Sequence, residues 1–268
     1  DLWGRRRKLL AAATSETQAA QADAAQATLL ISSNVVASYF DLARLLARDE
    51  ALELAVQSRT SMAALTKRRA QQGLENQAPV RQSEAETLRA RIRLSANREQ
   101  IAARRHALAA LLGAGPDRGL AITPNPLAKI KDAPLPTDVG IALAGRRPDI
   151  VAARLRVEAA GKRIDIAKTG STYGNAGGAF GLPIFDGGRI GGQYRQARAR
   201  FDQAVADYNA TVVDALREIA DAVTARDAAF AQERDAMEAS KAAEAAYDIA
   251  TKRYNAGLSN YITALSAQ

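Results

Sequence analysis

The sequence predicts an all-α fold built from two long antiparallel helical hairpins in tandem repeat. The first observation is a pair of similar segments, 67–76 and 251–260, which share Arg, Gly, Leu and Asn at identical spacing. The second is a matched interval, because Gly4 precedes Gly188 (188 − 4 = 184) as Gly73 precedes Gly257 (257 − 73 = 184). The third is a composition rich in Ala, Arg, Gln, Glu and Leu, with 5% aromatic residues. Together these features predict one uninterrupted long helix in each repeat.

The first repeat, residues 1–112, is predicted to be a hairpin. Its outgoing helix runs from Arg5 to Gln72, a length of about 100 Å at about 1.5 Å per residue. Small residues dilute the heptad-like apolar pattern of this helix, so neighbours can approach it on two flanks. Gly73 is expected to end the helix in a left-handed C-cap, and Pro79 is expected to start a return arm that reaches about Leu112.

The second repeat, residues 184–268, has the same outgoing helix from Arg189 to Ala256, with its tip near Gly257 and a truncated return helix. A connecting segment, 113–168, lies between the repeats. Its prolines exclude one continuous helix, but they allow a short helix at 139–144 and a longer one from Pro148 to about Lys168. Residues 169–183 are glycine-rich and are expected to be a linker.

Charge and composition exclude several classes of function. The formal net charge is +8, but the arginines are spread along the helices among Asp and Glu, which favours a solvated face over a nucleic-acid scaffold. There is no cysteine, and His106 is the only histidine, so we expect no metal site. No catalytic constellation stands out, so we expect neither an enzyme nor a cofactor. No run of 18 apolar residues occurs, which predicts that no helix crosses a membrane.

Three ordered motifs carry a family resemblance that covers nearly the whole chain. They are Arg147-Pro148-Asp149-Ile150 with its tail Ala160, Ile164, Ala167 and Lys168; Leu182-Pro183-Ile184-Phe185-Asp186-Gly187-Gly188; and Arg253-Tyr254 followed by Gly257-Leu258. The set resembles the outer membrane factor family of TolC-like and OprM-like efflux exit ducts. The resemblance implies a homotrimer whose paired helices form a periplasmic α-barrel. It also implies docking to a periplasmic adaptor (a membrane fusion protein) and to an inner-membrane efflux pump, in the outer membrane of a Gram-negative bacterium.

The sequence departs from the family pattern in one respect, which concerns the β-hairpins. Each repeat of the family carries a β-hairpin before the long helix, and the second hairpin is expected between Lys168 and Phe185, where the glycine-rich linker lies. We therefore expect the chain to be the periplasmic helical part, with the β-barrel strands missing. Trp3 and the basic cluster 5–8 would then lie near the inner lipid leaflet, or simply form a solvated first turn.

The resemblance also implies site residues at the two tips. Tyr254 matches a position that helps to hold the tunnel end closed, and Ser266 lies where relatives often place an acidic residue at the constriction. The acidic partner expected after the first tip is replaced by Pro79. The adaptor contact is expected at both hairpin ends, at Arg69, Gly73, Leu74, Asn76, Arg253, Gly257, Leu258, Ser259 and Asn260.

The expected function is therefore passive conduction of drugs or toxic small molecules that the pump expels through the adaptor. The alternative is a structural or adaptor coiled-coil protein that bridges periplasmic partners without enclosing a channel. The duplication favours the duct, because an adaptor needs one hairpin whereas a closed wall made from three chains needs two.

Overall fold

A computed structural model describes residues 5–124, 145–170 and 188–259, together with Thr263 and Ser266. The described parts are helical and contain no strand, which confirms the predicted all-α class. The helices are α1 (Arg5–Gln71), α2 (Gln77–Leu111), α3 (Pro116–Leu120), α4 (Pro148–Gly170) and α5 (Arg189–Asn255). The short helix expected at 139–144 and most of the expected linker lie outside the described residues.

The two long helices match in length and in register. Helices α1 and α5 have 67 residues each, and every boundary of α5 lies 184 positions after that of α1 (189 − 5 = 184; 255 − 71 = 184). Each ends one residue before the predicted end. The described residues therefore carry the repeat in their backbone as well as in their sequence.

Contacts divide the chain into two compact units, and each unit takes a part of both long helices. The first unit is Asp1–Leu30 with Pro134–Asp227, and the second is Ile31–Ala133 with Ala228–Gln268. The units therefore follow contacts along the helices and do not coincide with the sequence repeats.

In the first unit, α4 packs antiparallel to parts of α1 and α5. Arg163 pairs with Glu16 and Arg156 pairs with Asp23, so the two chain directions oppose each other. Lys162 also donates a hydrogen bond of 2.7 Å from Nζ to Ser15 Oγ. On the other side, an apolar cluster joins α4 to α5; its members are Ile150, Tyr208, Val212, Ala215 and Ile219.

The Arg-Pro-Asp motif fastens the start of α4. Arg147 binds Asp149 through two hydrogen bonds of 3.1 and 2.7 Å and reaches Glu218 of α5 at 2.6 Å. Asp149 also accepts the backbone N–H of Ile150, as expected for a carboxylate in the first turn of a helix. The Arg147 guanidinium holds the pKa of Asp149 below its usual value. Proline at the first helical position and this ion pair together explain why the helix begins at Pro148.

In the second unit, α1 and α2 form the predicted antiparallel hairpin. Its apolar centre consists of Leu42, Leu45, Ile101 and Leu108. Buried Asn97 donates from Nδ2 to the carbonyl oxygen of Leu45 at 3.0 Å, which holds one register between the helices. Helix α2 begins two residues earlier than predicted, because the side chain of Asn76 accepts the Ala78 N–H at 2.9 Å and caps the helix.

Helix α3 was not predicted, although its composition contains the signal. Pro116 occupies a first-turn position and Asp117 follows it. Gly119 lies against the backbone of Arg105 so closely that a side chain at this position would overlap the Arg105 carbonyl group. Ile122, two residues after the end of α3, packs against the apolar centre of the hairpin.

The expectation that no helix could cross a membrane was too strong. Helix α1 is long enough and contains an 18-residue window apolar enough to pass that test. The reason is that residues 24–40 carry no charge, although Ser, Thr, Asn and Gln interrupt the apolar residues. Length and composition alone do not distinguish a spanning helix from one that packs against other helices.

Truncating the apolar centre of the hairpin should cost more stability than truncating its surface. Leu42 is fully buried, so Leu42→Ala should lower the free energy of unfolding by about 2–5 kcal/mol. Leu88 on α2 is 57% exposed, so Leu88→Ala should change it by about 0.5 kcal/mol or less. Urea unfolding followed by far-ultraviolet circular dichroism measures both. Equal losses from the two variants would contradict the described packing.

Candidate functional site: the paired helix tips

The ends of α1 and α5 form two turns of the same geometry. Gly73 and Gly257 have φ of +75° and +74°, the left-handed conformation that favours glycine. Leu74 N donates to Arg69 O at 2.9 Å, and Leu258 N donates to Arg253 O at 2.8 Å. Each glycine N–H donates to the carbonyl three residues before it. Both tips are therefore Schellman caps, as their sequence predicts.

A leucine stands exposed on each tip. Leu74 is 62% exposed and Leu258 is 70% exposed. A Schellman cap often packs its following apolar residue back onto the helix. These two leucines instead remain largely in solvent, which leaves an apolar group available at the end of each turn.

The two tips are joined through Tyr254, which is fully buried. Its ring packs against Met62, and its hydroxyl donates to Thr66 Oγ1 over 3.5 Å, a long hydrogen bond. The Arg69 guanidinium lies 4.7 Å from the ring centroid, within the range of a cation–π interaction. The same guanidinium donates from Nη1 to the carbonyl oxygen of Tyr254 at 3.2 Å. We call Met62, Thr66, Arg69, Glu75 and Tyr254 the tip lock.

Glu75 completes the tip lock from the turn after Gly73. Its Oε1 lies 3.8 Å from Arg69 Nε, and both side chains are largely buried. Burial raises the pKa of the Tyr254 phenol above its ordinary value, and the nearby Glu75 carboxylate acts in the same direction. The phenol is therefore neutral at physiological pH and serves as a packing group and hydrogen-bond donor.

A second tyrosine contact lies two turns before the tip lock. Ser58 Oγ and Tyr247 Oη share a hydrogen bond of 2.7 Å. Because residue 58 meets residue 247 and residue 66 meets residue 254, α1 and α5 run parallel in this unit. Tyr247 and Tyr254 are seven residues apart and so share one face of α5.

The predicted tip residues fall into three groups. Arg69 and Tyr254 are held within the tip lock, and Asn76 caps α2. The exposed group contains Gly73, Leu74, Arg253, Gly257 and Leu258, with Ser259 half-buried beside them. Asn260 lies outside the described residues, and exposed Ser266 donates to the carbonyl oxygen of Thr263 at 3.0 Å.

Sequence reasoning missed most partners of Tyr254. Its acidic neighbour was sought at the position of Pro79, whereas Glu75 fills that role four residues earlier. Thr66 and Met62 were not singled out. Their signal is helical spacing, because residues 58, 62, 66 and 69 fall on one face of α1.

The chemical groups at the tips are apolar, cationic and aromatic. In the described parts of the chain, no group of three or more His, Cys, Asp or Glu residues could hold a metal ion. His106 lies exposed on α2. What the tips offer is an apolar leucine beside an exposed cationic residue, held on a buried aromatic anchor.

Alkaline pH should loosen the tip lock. The pKa of Tyr254 lies above 10.0 in the folded chain, so its contribution is fully present below about pH 10 and is lost as pH rises through the folded pKa. The measurement is the ultraviolet absorbance of tyrosinate, taken as the difference between the wild type and Tyr254→Phe. The component that Tyr254→Phe removes should titrate above pH 10. Titration at or below pH 10 would mean that the ring is not buried as described.

Comparison with known proteins shows which family this chain resembles. The sequence profile of the family described as outer membrane efflux protein matches residues 1–114 and 168–268. Fusaric acid resistance protein FusA of Burkholderia cepacia is 34% identical over 227 residues, which are 74% of this chain and 43% of FusA. Multidrug resistance outer membrane protein MdtP of Shigella flexneri is 29% identical over 82% of this chain and 50% of MdtP. This chain thus spans about half the length of these relatives.

A solved structure agrees with the sequence comparisons. The outer membrane protein VceC of Vibrio cholerae is 37% identical and superposes with a TM-score of 0.88 over 100% of this chain and 69% of VceC. These findings confirm the expected location at the outer membrane of a Gram-negative bacterium. Since the profile matches residues in both repeats, over most of the chain, this protein belongs to the outer membrane efflux protein family.

Proposed function

We propose that this chain is the periplasmic tunnel part of an outer membrane efflux duct. In this proposal three copies form the tunnel wall, and drugs or other toxic small molecules pass through it passively. An inner-membrane pump expels the cargo, and a periplasmic adaptor docks at the helix tips. The protein then provides a path and a docking surface, and performs no bond chemistry.

The pair of matched tips is the observation that carries the proposal. Two caps of equal geometry stand side by side in one unit, and each presents a largely exposed leucine. Exposed apolar residues at the ends of rigid helices suit a helical partner that inserts between them. The tip lock ties both caps to each other, so one adaptor contact engages both repeats.

The polar surfaces of the long helices are consistent with the wall of a water-filled channel. Many basic side chains on their surfaces pair with nearby carboxylates, as Arg217 does with Asp221 and Lys252 does with Asp248. Such exposed pairs add little stability, about 0–1 kcal/mol each, but they keep the helix surface polar. The names of FusA and MdtP, which refer to resistance to fusaric acid and to multiple drugs, support small toxic molecules as the cargo.

Substitutions at the tips should impair export while the protein stays abundant. Gly73→Val and Gly257→Val force a β-branched residue into the left-handed conformation, at a cost of roughly 1 kcal/mol or more that is confined to the turn. Leu74→Asp and Leu258→Asp keep the turn but place charge where an apolar contact is expected, and should weaken adaptor binding about tenfold. Drug susceptibility of cells and cross-linking to the adaptor measure both effects.

The other end of α2 provides matched controls. Gly113 has φ of +66° and lies in a third cap of the same geometry, so Gly113→Val introduces equal strain away from the tips. Leu112 is 61% exposed, so Leu112→Asp adds an equal charge there. These controls should keep resistance near wild type. Full resistance and normal cross-linking in the tip variants would remove the tips from the docking site.

A further inference from the structure

An open groove runs along the first unit between α1, α4 and α5. Its volume of about 240 Å³ suits a small molecule. Ala159 and Ala160 of α4 are buried in its floor, and Ala204 of α5 is half-buried there. We call it the alanine groove. Its polar lining consists of Glu16, Arg156, Arg163, Arg200, Gln203 and Asp207.

The packing of α4 against α5 sets which charged side chains lie at the same level of the groove. Gly161 lies against the ring of Phe201. Because α4 and α5 run antiparallel, Arg163 then lies at about the level of Arg200. Arg156 lies two turns away, at about the level of Asp207. Each arginine of α4 therefore has one charged residue of α5 beside it.

The two arginines of α4 already have carboxylate partners on α1. Arg163 pairs with Glu16, and Arg156 pairs with Asp23. All four side chains are about half exposed, so the ion pairs contribute about 0–1 kcal/mol each. Since these four charges cancel in pairs, the charge that remains along the groove comes from α5.

Arg200 and Asp207 are the charges of the groove that nothing balances. Both are exposed, and within the described parts of the chain neither side chain takes part in an ion pair or a hydrogen bond. They are seven residues apart, so they share one face of α5 and stand about 10 Å apart along its axis. The groove thus has a positive end at Arg200 and a negative end at Asp207, with the alanine floor between them.

We propose that the alanine groove binds a small zwitterionic molecule whose anionic and cationic groups are about 10 Å apart. The anionic group lies at Arg200, the cationic group lies at Asp207, and the apolar part between them covers the alanine floor. The ligand then balances the charges of α5 as α1 balances those of α4. This inference rests on the proposed function and deepens it, because it names a charge class among the small molecules that the duct carries.

A ligand with both charges is favoured over a simple ion. Each contact between exposed charges contributes about 0.2–1 kcal/mol, and only a zwitterion gains this contribution at both ends. The two ends act nearly independently, because the Debye length at physiological ionic strength is about 8 Å. The resulting binding is weak and reversible, which suits a molecule in transit.

Titration of the intact protein in detergent tests the groove. The probe is 8-aminooctanoic acid, whose extended chain spans about two helical turns, and the comparison is 4-aminobutanoic acid, which spans about one. Saturation-transfer NMR gives both dissociation constants, at about 10 mM salt, where the Debye length is about 30 Å. The longer probe should bind about two- to fivefold more tightly, because only it reaches both ends.

Substitutions on α5 locate the binding. Arg200→Ala and Asp207→Ala should each weaken binding of 8-aminooctanoic acid about two- to fivefold. The double variant should bind it no better than 4-aminobutanoic acid. Arg217→Ala and Asp221→Ala are the matched controls, because they make the same changes in charge at exposed positions of α5 outside the groove, and they should leave the dissociation constant unchanged.

Ligand derivatives test the direction of binding. The N-acetyl derivative of 8-aminooctanoic acid has no cation, so Arg200→Ala should weaken its binding and Asp207→Ala should not. The primary amide, 8-aminooctanamide, has no anion, so the two variants should exchange their effects. Such a cycle assigns each end of the ligand to one residue.

The outcomes for the groove and for the duct are separate. Equal binding of the two chain lengths would overturn the groove, as would control variants that weaken binding as much as Arg200→Ala and Asp207→Ala. Neither result bears on the tip variants, whose drug susceptibility and adaptor cross-linking decide the proposed function. Length-dependent binding that only the groove variants weaken is the expected result.

Discussion

Close approach of helices through small side chains is the constraint on which this structure depends. Among the residues that the structure describes, more than half of the buried apolar ones are alanines, such as Ala12, Ala90 and Ala215. An alanine lets two backbones approach closely, but it removes little apolar area from water and contributes correspondingly little free energy. The register between packed helices is therefore decided by the few large or polar groups that are buried, such as Leu42, Asn97 and Tyr254.

Tyr254 shows how one such group organises a whole tip. It is the largest fully buried side chain in the described parts of the molecule, and it lies where α5 ends. Its ring accepts the Arg69 guanidinium, and its carbonyl oxygen accepts hydrogen bonds from Arg69 and from the Gly257 N–H. A cation near the C-terminus of a helix also interacts favourably with the helix dipole. Tyr254 therefore takes part in packing, in helix capping and in an electrostatic contact, and these interactions hold the two matched turns side by side.

Duplication of the backbone has not preserved the side chains. Each unit of the chain leaves large apolar residues in solvent, such as Leu10 in the first unit and Val36 in the second. Isolated surface apolar residues are ordinary, but rows of them along a helix suit burial against further helices. The equivalent faces of α1 and α5 therefore carry different side chains on matched backbones.

The sequence by itself determined the two long helices, their matched length and their glycine caps. These features are local: a left-handed residue at Gly73 or Gly257 ends a helix through hydrogen bonds that reach only five residues back. Only the tertiary structure decided that Glu75 and Thr66 are the partners of Tyr254. These contacts join residues 188 and 179 positions apart (254 − 66 = 188; 254 − 75 = 179), and the relative register of two parallel helices selects them. That register depends on which buried side chains fit together across the whole interface, and no local pattern encodes it.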